Sequence, residues 1–235
     1  MLISIVIPAR NEADNIGRTV EDLEKGLKNL LHETLIVNDH SQDTTAAKVL
    51  ELSAGHPSVK LINNTAEPGF ASTLWTGFRA ASGEAVVVVM ADACDDPETI
   101  PQMAARFAEG YDLVCGSRYL SGGGKDGGPK LQGLFSSLIN KVLHFFFRVP
   151  TIDASNAFKL YRKETLLKMK TEEKGFALSM ELAIKFWRQG CRITDVPTIW
   201  KGRVAGKSKF KFRRAFISYG RQIIRVLYGK KISKN

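Results

Sequence analysis

The residues best placed by type and spacing to do chemistry fall in Val86 to Pro97, VVVVMADACDDP, where a β-branched run empties directly into carboxylates. Such a run is too short to cross a bilayer and reads as a buried parallel strand. It aims Asp92, and beyond it Asp95 and Asp96, at whatever binds past the strand's C-terminal end. Carboxylate oxygens are hard donors, so Asp92 with Asp95 would suit Mg²⁺ or Mn²⁺ carrying a phosphate. The plainer alternative is a solvated turn in which Asp96, ahead of Pro97 and Glu98, caps the next helix. A second strand end, VNDHSQDTT, holds Asp39 and Asp43, and VIPARNEADNI after the first strand holds Glu12. Late in the chain, RVAGKSK holds two further charged groups, Arg203 and Lys209.

Positioning such groups requires strands that end at one edge. Leu2 to Pro8 reads as a first strand, and ARNEADNIGRTVEDLEKGLKNL as a turn into an amphipathic helix burying Ile16, Val20, Leu23, Leu27 and Leu30. Leu35 to Asn38 forms a second strand, a helix passes through Val49 and Leu52, and Val59 to Asn63 forms a third strand. Gly69 to Ala81 reads as a helix before the Ala85 to Met90 strand, and LVCGSRY closes another strand at Cys115 to Arg118. This alternation predicts an α/β fold, three layers around a largely parallel sheet. Ala157 to Tyr161 and Arg192 to Val196 read as further strands, with a helix over Ala177 to Arg188 between them. From Leu120 the pattern changes. SGGGKDGGP predicts a flexible loop, and in the LFSSLINKVLHFFFRV that follows, Leu134, Leu138, Val142, Phe145, Phe146 and Val149 recur at helical spacing. That stripe fits a core face or a helix at a membrane interface, and with the loop it would make a lid over 120–150.

Composition narrows the function classes. At 235 residues and 44% hydrophobic, the chain can bury one generous core, which excludes disordered, collagen-like and disulfide-scaffold classes. Three cysteines, Cys94, Cys115 and Cys191, without CxxC spacing predict reduced thiols in a cytosolic compartment. No leader is evident before the first strand, and no apolar run reaches the roughly 18 residues of a spanning helix. The net charge of +10 is concentrated, because 12 Lys and Arg but no acid lie between Lys201 and Asn235, leaving the first 200 residues near −2. Arg213 to Tyr228 reads as a basic amphipathic helix, with Arg214, Arg221 and Arg225 on one face and Phe216, Ile217, Ile223, Ile224, Leu227 and Tyr228 around the other. An anionic membrane surface would satisfy such a helix, and so would packing on the domain or on a second protein. Nucleic acid is not the expected partner, since these aromatics follow a helix face and form no exposed stacking platform.

Four strings taken in order resemble the inverting family 2 glycosyltransferases of the GT-A fold, and among them the polyprenyl-phosphate branch that includes dolichyl-phosphate mannose synthases. They are VIPARNEADNI, VNDHSQDTT, MADACDDPE, and a set made of CGSRY, DASNAFKLYRKE, the helix with Glu181, and RVAGKSK. The resemblance covers nearly the whole chain and implies a catalytic domain over 1–210 followed by the basic helix at 211–235. It implies a nucleotide sugar, GDP-mannose or a UDP-hexose, held by Pro8, Ala9, Arg10, Glu12, Asp39, Asp43, Ala91 and Asp92, with Arg203 and Lys209 on its diphosphate. Asp92, Arg118 and Arg203 would carry catalysis, and Arg118, Ser136, Gln132 and Glu181 would face the acceptor. The chain departs from the pattern at Asn38 and His40, at Met90 and Cys94 in the metal string, and at Gln132, where the family has an arginine that Lys130 or Lys125 would replace.

The acceptor decides the chemistry. A sugar hydroxyl must lose a proton and needs a general base, for which Glu181 and Asp153 are the candidates; a polyprenyl phosphate is already an anionic nucleophile and needs cations instead. The expected activity is therefore hexosyl transfer from a nucleotide diphosphate sugar to a polyprenyl phosphate, on a protein peripheral to the cytoplasmic face of a membrane and reaching its lipid through Phe145 to Phe147, the basic helix, or a membrane protein partner. The competing expectations are a family 2 transferase using a sugar hydroxyl, and a catalytically silent binding module of the same fold.

Overall fold

The structure is a computed structural model that describes residues 1–128, 130–203 and 217–224, with side chains at all of these except 130–132. The expectations for Lys209, for the side chains of Lys130 and Gln132, and for most of the basic helix at 211–235 lie outside these residues; 217–224 is helical.

Among the described residues, seven strands form one sheet in the order β3-β2-β1-β4-β7-β5-β8. They are β1 (Ile3–Ala9), β2 (His32–Asn38), β3 (Val59–Asn63), β4 (Ala85–Val88), β5 (Leu113–Ser117), β7 (Lys159–Arg162) and β8 (Ile193–Pro197). Every neighbouring pair is parallel except those of β7, which runs antiparallel to both β4 and β5. The largely parallel sheet expected from the alternation is present, and β7 is its one reversal among the described strands. Because β7 runs backwards, the loop that precedes it emerges at the same edge as the C-terminal ends of the others.

Both faces of the sheet are covered, which is why its strands are continuously apolar. Strand alternation sends Val6, Leu35, Val37, Val86 and Val88 to one side and Ile5, Ile7, Ile36, Ala85 and Val87 to the other. On the second side, α1 (Ile16–Gly26) buries Ile16, Val20 and Leu23, and α4 (Ile100–Ala108) buries Ile100, Met103 and Phe107; α2 (Thr45–Gly55) adds Val49. On the first side lie α3 (Phe70–Ala80), α5 (Lys130–Lys141), α6 (Lys163–Leu167) and α7 (Leu178–Arg188). Burial of a residue such as Phe78 contributes about 1.5–3 kcal/mol. A Cβ on Gly77 would stand 2.4 Å from Val6 Cγ1, so glycine is what lets α3 approach β1 this closely.

One expectation for 120–150 is revised and another decided. The Gly-rich stretch is not a plain loop: Gly124–Asp126 forms β6, which pairs in parallel with β9 (Ile199–Lys201). Backbone pairing anchors it where side chains do not. The apolar stripe, which fitted either a core face or an exposed one, is mostly exposed. Leu134 (70% exposed), Leu138, Phe145 and Phe146 (80% exposed) point outward, while Ile139, Asn140, Leu143 and Val149 are buried. A π-helical turn at Val142–Phe146 follows α5 and shifts the register, so a reading at constant helical spacing merges two faces.

Candidate active site

A cavity of about 630 Å³ opens at the edge where the parallel strands end. Its walls come from the loops after β1, β2, β4 and β5, the N-terminal end of α3, the loop before β7, the lid helix α5 and the 217–224 segment. The strand order fixes which groups sit where: β2 and β1 lie to one side of β4, β7 and β5 to the other.

The β1/β2 end is acidic and already organised by hydrogen bonds. Asp39 accepts from the Gly69 amide at 3.1 Å and from Asn64 Nδ2 at 3.0 Å, with Arg10 Nη1 at 3.6 Å. Glu12 accepts from Asn15 Nδ2 at 3.0 Å, and Pro8 and Ala9 complete the wall. Asp43 does not reach the cavity lining. It accepts from the Ala13 and Thr45 amides and the Thr45 hydroxyl, tying the β1 and β2 loops together. These bonds overcome the upward push of its burial and hold its carboxyl below the usual carboxylate range. Ala91 is also set back, its carbonyl taking the Thr19 hydroxyl at 3.0 Å.

Arg203 joins this end to the β4 loop. Its Nη2 donates to Glu12 Oε1 at 3.0 Å and to Asp92 Oδ2 at 3.2 Å, so one guanidinium holds two loops together. The chain just before it is held by the β4 loop and by β6, with Lys201 N donating to Cys94 O at 2.8 Å and Gly202 N to Asp126 O at 2.6 Å. Burial opposes its charge, but Glu12 and Asp92 raise the Arg203 pKa above its ordinary value.

At the far end, Arg118 follows β5 and lies against Asp153 from the loop before β7. Arg118 Nε donates to Asp153 Oδ2 and Nη2 to Oδ1, both at 2.7 Å, and Asp153 is fully buried. Asn140 Nδ2 donates to Asp153 Oδ1 at 3.0 Å, while Ser136 and Ser155 stand 2.7 Å apart beside the guanidinium. Burial alone would raise the Asp153 carboxyl, yet Arg118 beside it brings it below its ordinary value. Lys125 also lines the cavity. It is exposed as a residue, but its ammonium lies over the Tyr119 ring, and burial there together with the charge of Arg118 pulls its pKa down to about 8. Phe135 on α5 stacks on Tyr219 at a centroid distance of 6.3 Å, and Gln222 donates to Glu173 at 2.9 Å. The 217–224 segment is therefore packed on the domain and lines the cavity through Tyr219.

Of the residues expected from sequence, the cavity gathers Pro8, Ala9, Arg10, Glu12 and Asp39 at one end, Asp92 and Arg203 in the middle, and Arg118 and Ser136 at the other. Glu181 is not among its lining residues: its carboxylate accepts from the Glu172 and Glu173 amides at 2.9–3.1 Å, with Lys185 at 3.5 Å. Asp95 is likewise set back, accepting from the Met90 amide at 2.9 Å, and burial with Asp92 nearby pushes its pKa up to about 7. Of the expected Asp92–Asp95 pair, only Asp92 lines the cavity. Asn140, Ser155, Phe135 and Tyr219 carry no chemical signature in the sequence, and only the packing brings them to the site.

The donor set fits a divalent cation that brings its own ligands. Among the described residues no cluster of three His, Cys, Asp or Glu could hold a metal alone. Mg²⁺ and similar ions, however, are routinely held by one or two carboxylates plus substrate phosphates and water. Asp92 would supply that carboxylate.

Comparison with known proteins places the chain. Residues 4–169 match Glycosyl transferase family 2. The chain is 34% identical over 231 residues to a Dolichol-phosphate mannosyltransferase of Pyrococcus furiosus, covering 97% of this chain and 64% of that protein. It is 28% identical over 212 residues to a Polyprenol monophosphomannose synthase of Mycolicibacterium smegmatis, covering 87% and 79%. It spans 36% of a third relative, Glycosyltransferase AglD of Haloferax volcanii, so it is shorter than two of these three relatives by a third or more. The crystal structure of glucosyl-3-phosphoglycerate synthase from Mycobacterium tuberculosis, in complex with Mn²⁺, UDP and glucosyl-3-phosphoglycerate, superposes with a TM-score of 0.71 at 20% identity, covering 100% of this chain and 81% of that one. That likeness shows the fold, which is GT-A. On the extent of its family match, over residues 4–169, and the sheet edge at which its family-like strings converge, the chain belongs to glycosyl transferase family 2.

Proposed function

We propose that this chain moves a hexosyl group from a nucleoside diphosphate sugar to a polyprenyl phosphate, with inversion. The observation that carries the reading is the division of charge along the cavity. The carboxylates that line it, Glu12, Asp39 and Asp92, lie at the donor end and middle, whereas the β5/β7 end presents Arg118, Lys125, Ser136 and Ser155. A hydroxyl acceptor would need a base there. The two candidates are committed elsewhere, Asp153 to Arg118 and Glu181 to backbone amides. A phosphate monoester needs no base, and cations bind it without protonating it.

In the reaction a phosphate oxygen of the acceptor attacks the anomeric carbon as the bond to the donor's diphosphate breaks on the opposite face. No proton moves, and the nucleoside diphosphate departs with the bonding pair. Glu12 and Asp39 are suited to the donor-rich base and ribose, and Arg203 to the diphosphate. A divalent cation on Asp92 would offset the charge that collects on the leaving group. Arg118, fixed in its plane by Asp153, orients the acceptor phosphate for in-line attack. The names of the relatives support mannose as the first sugar to test.

No helix among the described residues is long and apolar enough to cross a membrane. The outward row of Leu134, Leu138, Phe145 and Phe146, with exposed Ile217 and Ile224 on the packed C-terminal segment, supports docking on a membrane surface. An acceptor phosphate at the lipid surface would then enter the cavity beneath α5.

The test is transfer of labelled hexose from GDP-mannose and from UDP-glucose, with Mn²⁺, to three acceptors: polyprenyl phosphate in mixed micelles, the corresponding polyprenol, and soluble glycerol 3-phosphate. Transfer confined to the lipid phosphate supports the reading. Transfer to polyprenol would show that a base operates, and preference for glycerol 3-phosphate would remove the lipid.

A further inference from the structure

The guanidinium of Arg203 occupies the position from which Asp92 would accept a cation. Nη2 bridges Asp92 Oδ2 and Glu12 Oε1 at 3.2 and 3.0 Å, and the side chains of Arg203, Asp92 and Glu12 are 17%, 17% and 7% exposed. We propose that Arg203 is the resident counter-ion of these two carboxylates, so that a divalent cation gains Asp92 only together with a nucleoside diphosphate, onto which Arg203 transfers. The inference deepens the donor-site reading and rests on it for the identity of the diphosphate.

The physical argument is one of competing partners. A metal ion arriving alone must displace two charge-assisted hydrogen bonds formed where little water reaches. It would gain at most Asp92 and Glu12, since Asp95 is turned to the Met90 amide, and would leave a guanidinium facing a dication at short range. A nucleoside diphosphate changes both sides of the exchange. Its oxygens complete the coordination of the ion, and they offer Arg203 a fork-shaped anionic partner in place of the carboxylates. The two ligands therefore bind cooperatively, and by linkage each tightens the other by the same factor. Asp92 and Glu12 both converge on one nitrogen of Arg203, so removing the guanidinium leaves two carboxylates aimed at one point, which is a better site for a free ion than the wild-type protein offers.

The experiment follows free Mn²⁺ by its electron paramagnetic resonance signal during titration of the full chain, alone and with GDP or UDP, for wild type, Arg203→Met and Arg203→Lys. Mn²⁺ alone is expected to bind Arg203→Met about tenfold or more tighter than wild type. Arg203→Lys keeps the charge on a shorter side chain without the guanidinium fork, and falls between. On wild type a diphosphate tightens Mn²⁺ about tenfold or more, and the gain shrinks in Arg203→Met. If Arg203→Met, shown folded by circular dichroism, binds Mn²⁺ alone no tighter than wild type, the proposal is overturned. Should that variant not fold, unchanged Mn²⁺ affinity in Arg203→Lys overturns it instead. If removing Arg203 tightens Mn²⁺ but neither nucleotide does so on wild type, the competition stands and the donor reading fails. A nucleotide effect equal in all three proteins, with equal affinity for Mn²⁺ alone, leaves the donor site standing and removes the exchange.

Discussion

Replacing Asp153 with Asn tests how the acceptor end is held. The substitution keeps the side chain's shape and removes its charge, leaving Arg118 at 11% side-chain exposure with no carboxylate at 2.7 Å. It also turns an amide NH₂ toward donors, since Arg118 Nε, Arg118 Nη2, the Arg118 amide and Asn140 Nδ2 all donate to Asp153. Breaking a buried pair by deleting one partner costs about 3–5 kcal/mol, and because the remaining carbonyl keeps some of these bonds, about 3 kcal/mol is the expected loss. Urea unfolding followed by circular dichroism at pH 7 reads it as a lower midpoint with an unchanged slope. The sign with pH follows from the depressed carboxyl. The stabilisation from Asp153 is fully present above the unfolded value near 3.9 and is lost as pH falls through the lower folded value. The gap between wild type and variant is therefore flat from pH 5 to 8 and closes in stronger acid. With Arg118 no longer fixed, kcat/KM for a phosphate acceptor falls at least about tenfold, corresponding to one charged hydrogen bond, while donor affinity is unchanged. Equal stability of the two proteins, or a loss confined to the donor, would refute the assignment of this pair to holding the acceptor end.

Two further outcomes are specific. Lys125 carries its charge only below about pH 8, because burial and Arg118 both disfavour it. The acceptor's kcat/KM should then fall as pH rises through about 8, Lys125→Arg should abolish that limb, and a limb that persists in the variant would assign it to another group. Glu33 is pushed up by burial, but the Ser4 hydroxyl, Lys60 and the Ser82 amide outweigh this and hold its pKa at about 2. Its stabilisation is complete above the unfolded value and lost as pH falls toward 2. With Lys60 half-exposed, Glu33→Gln should cost roughly 2–3 kcal/mol at pH 7 and much less at pH 3. A cost independent of pH in urea unfolding would show that the charge contributes nothing.

The sequence by itself determined the layered α/β architecture, because strand and helix periods are local properties. The β-branched run at Val86 to Val88 reads as a strand buried on both faces, and Ile16, Val20 and Leu23 as one face of a helix, and both are so. It also singled out Glu12, Asp39, Asp92, Arg118 and Arg203, since each lies in a short string at or near a strand end. The structure alone decided which of the acids are available. Asp43 and Asp95 are, like Asp92, aspartates in the loop just past a strand, and they differ in which backbone amides come near, a matter of how the loops fold and meet. The direction of β7 was likewise not legible, because a strand's own residues carry no mark of its neighbours' polarity. That reversal brings Asp153 and Ser155 to Arg118. The outward turn of Leu134, Leu138 and Phe146 was hidden for a related reason: an apolar stripe reads the same whether it meets the core or the exterior, and a π-helical turn breaks its period. Local periodicity fixed the elements, whereas the pairing of charges across the cavity depended on contacts between residues as far apart as Glu12 and Arg203, which only the folded chain brings together.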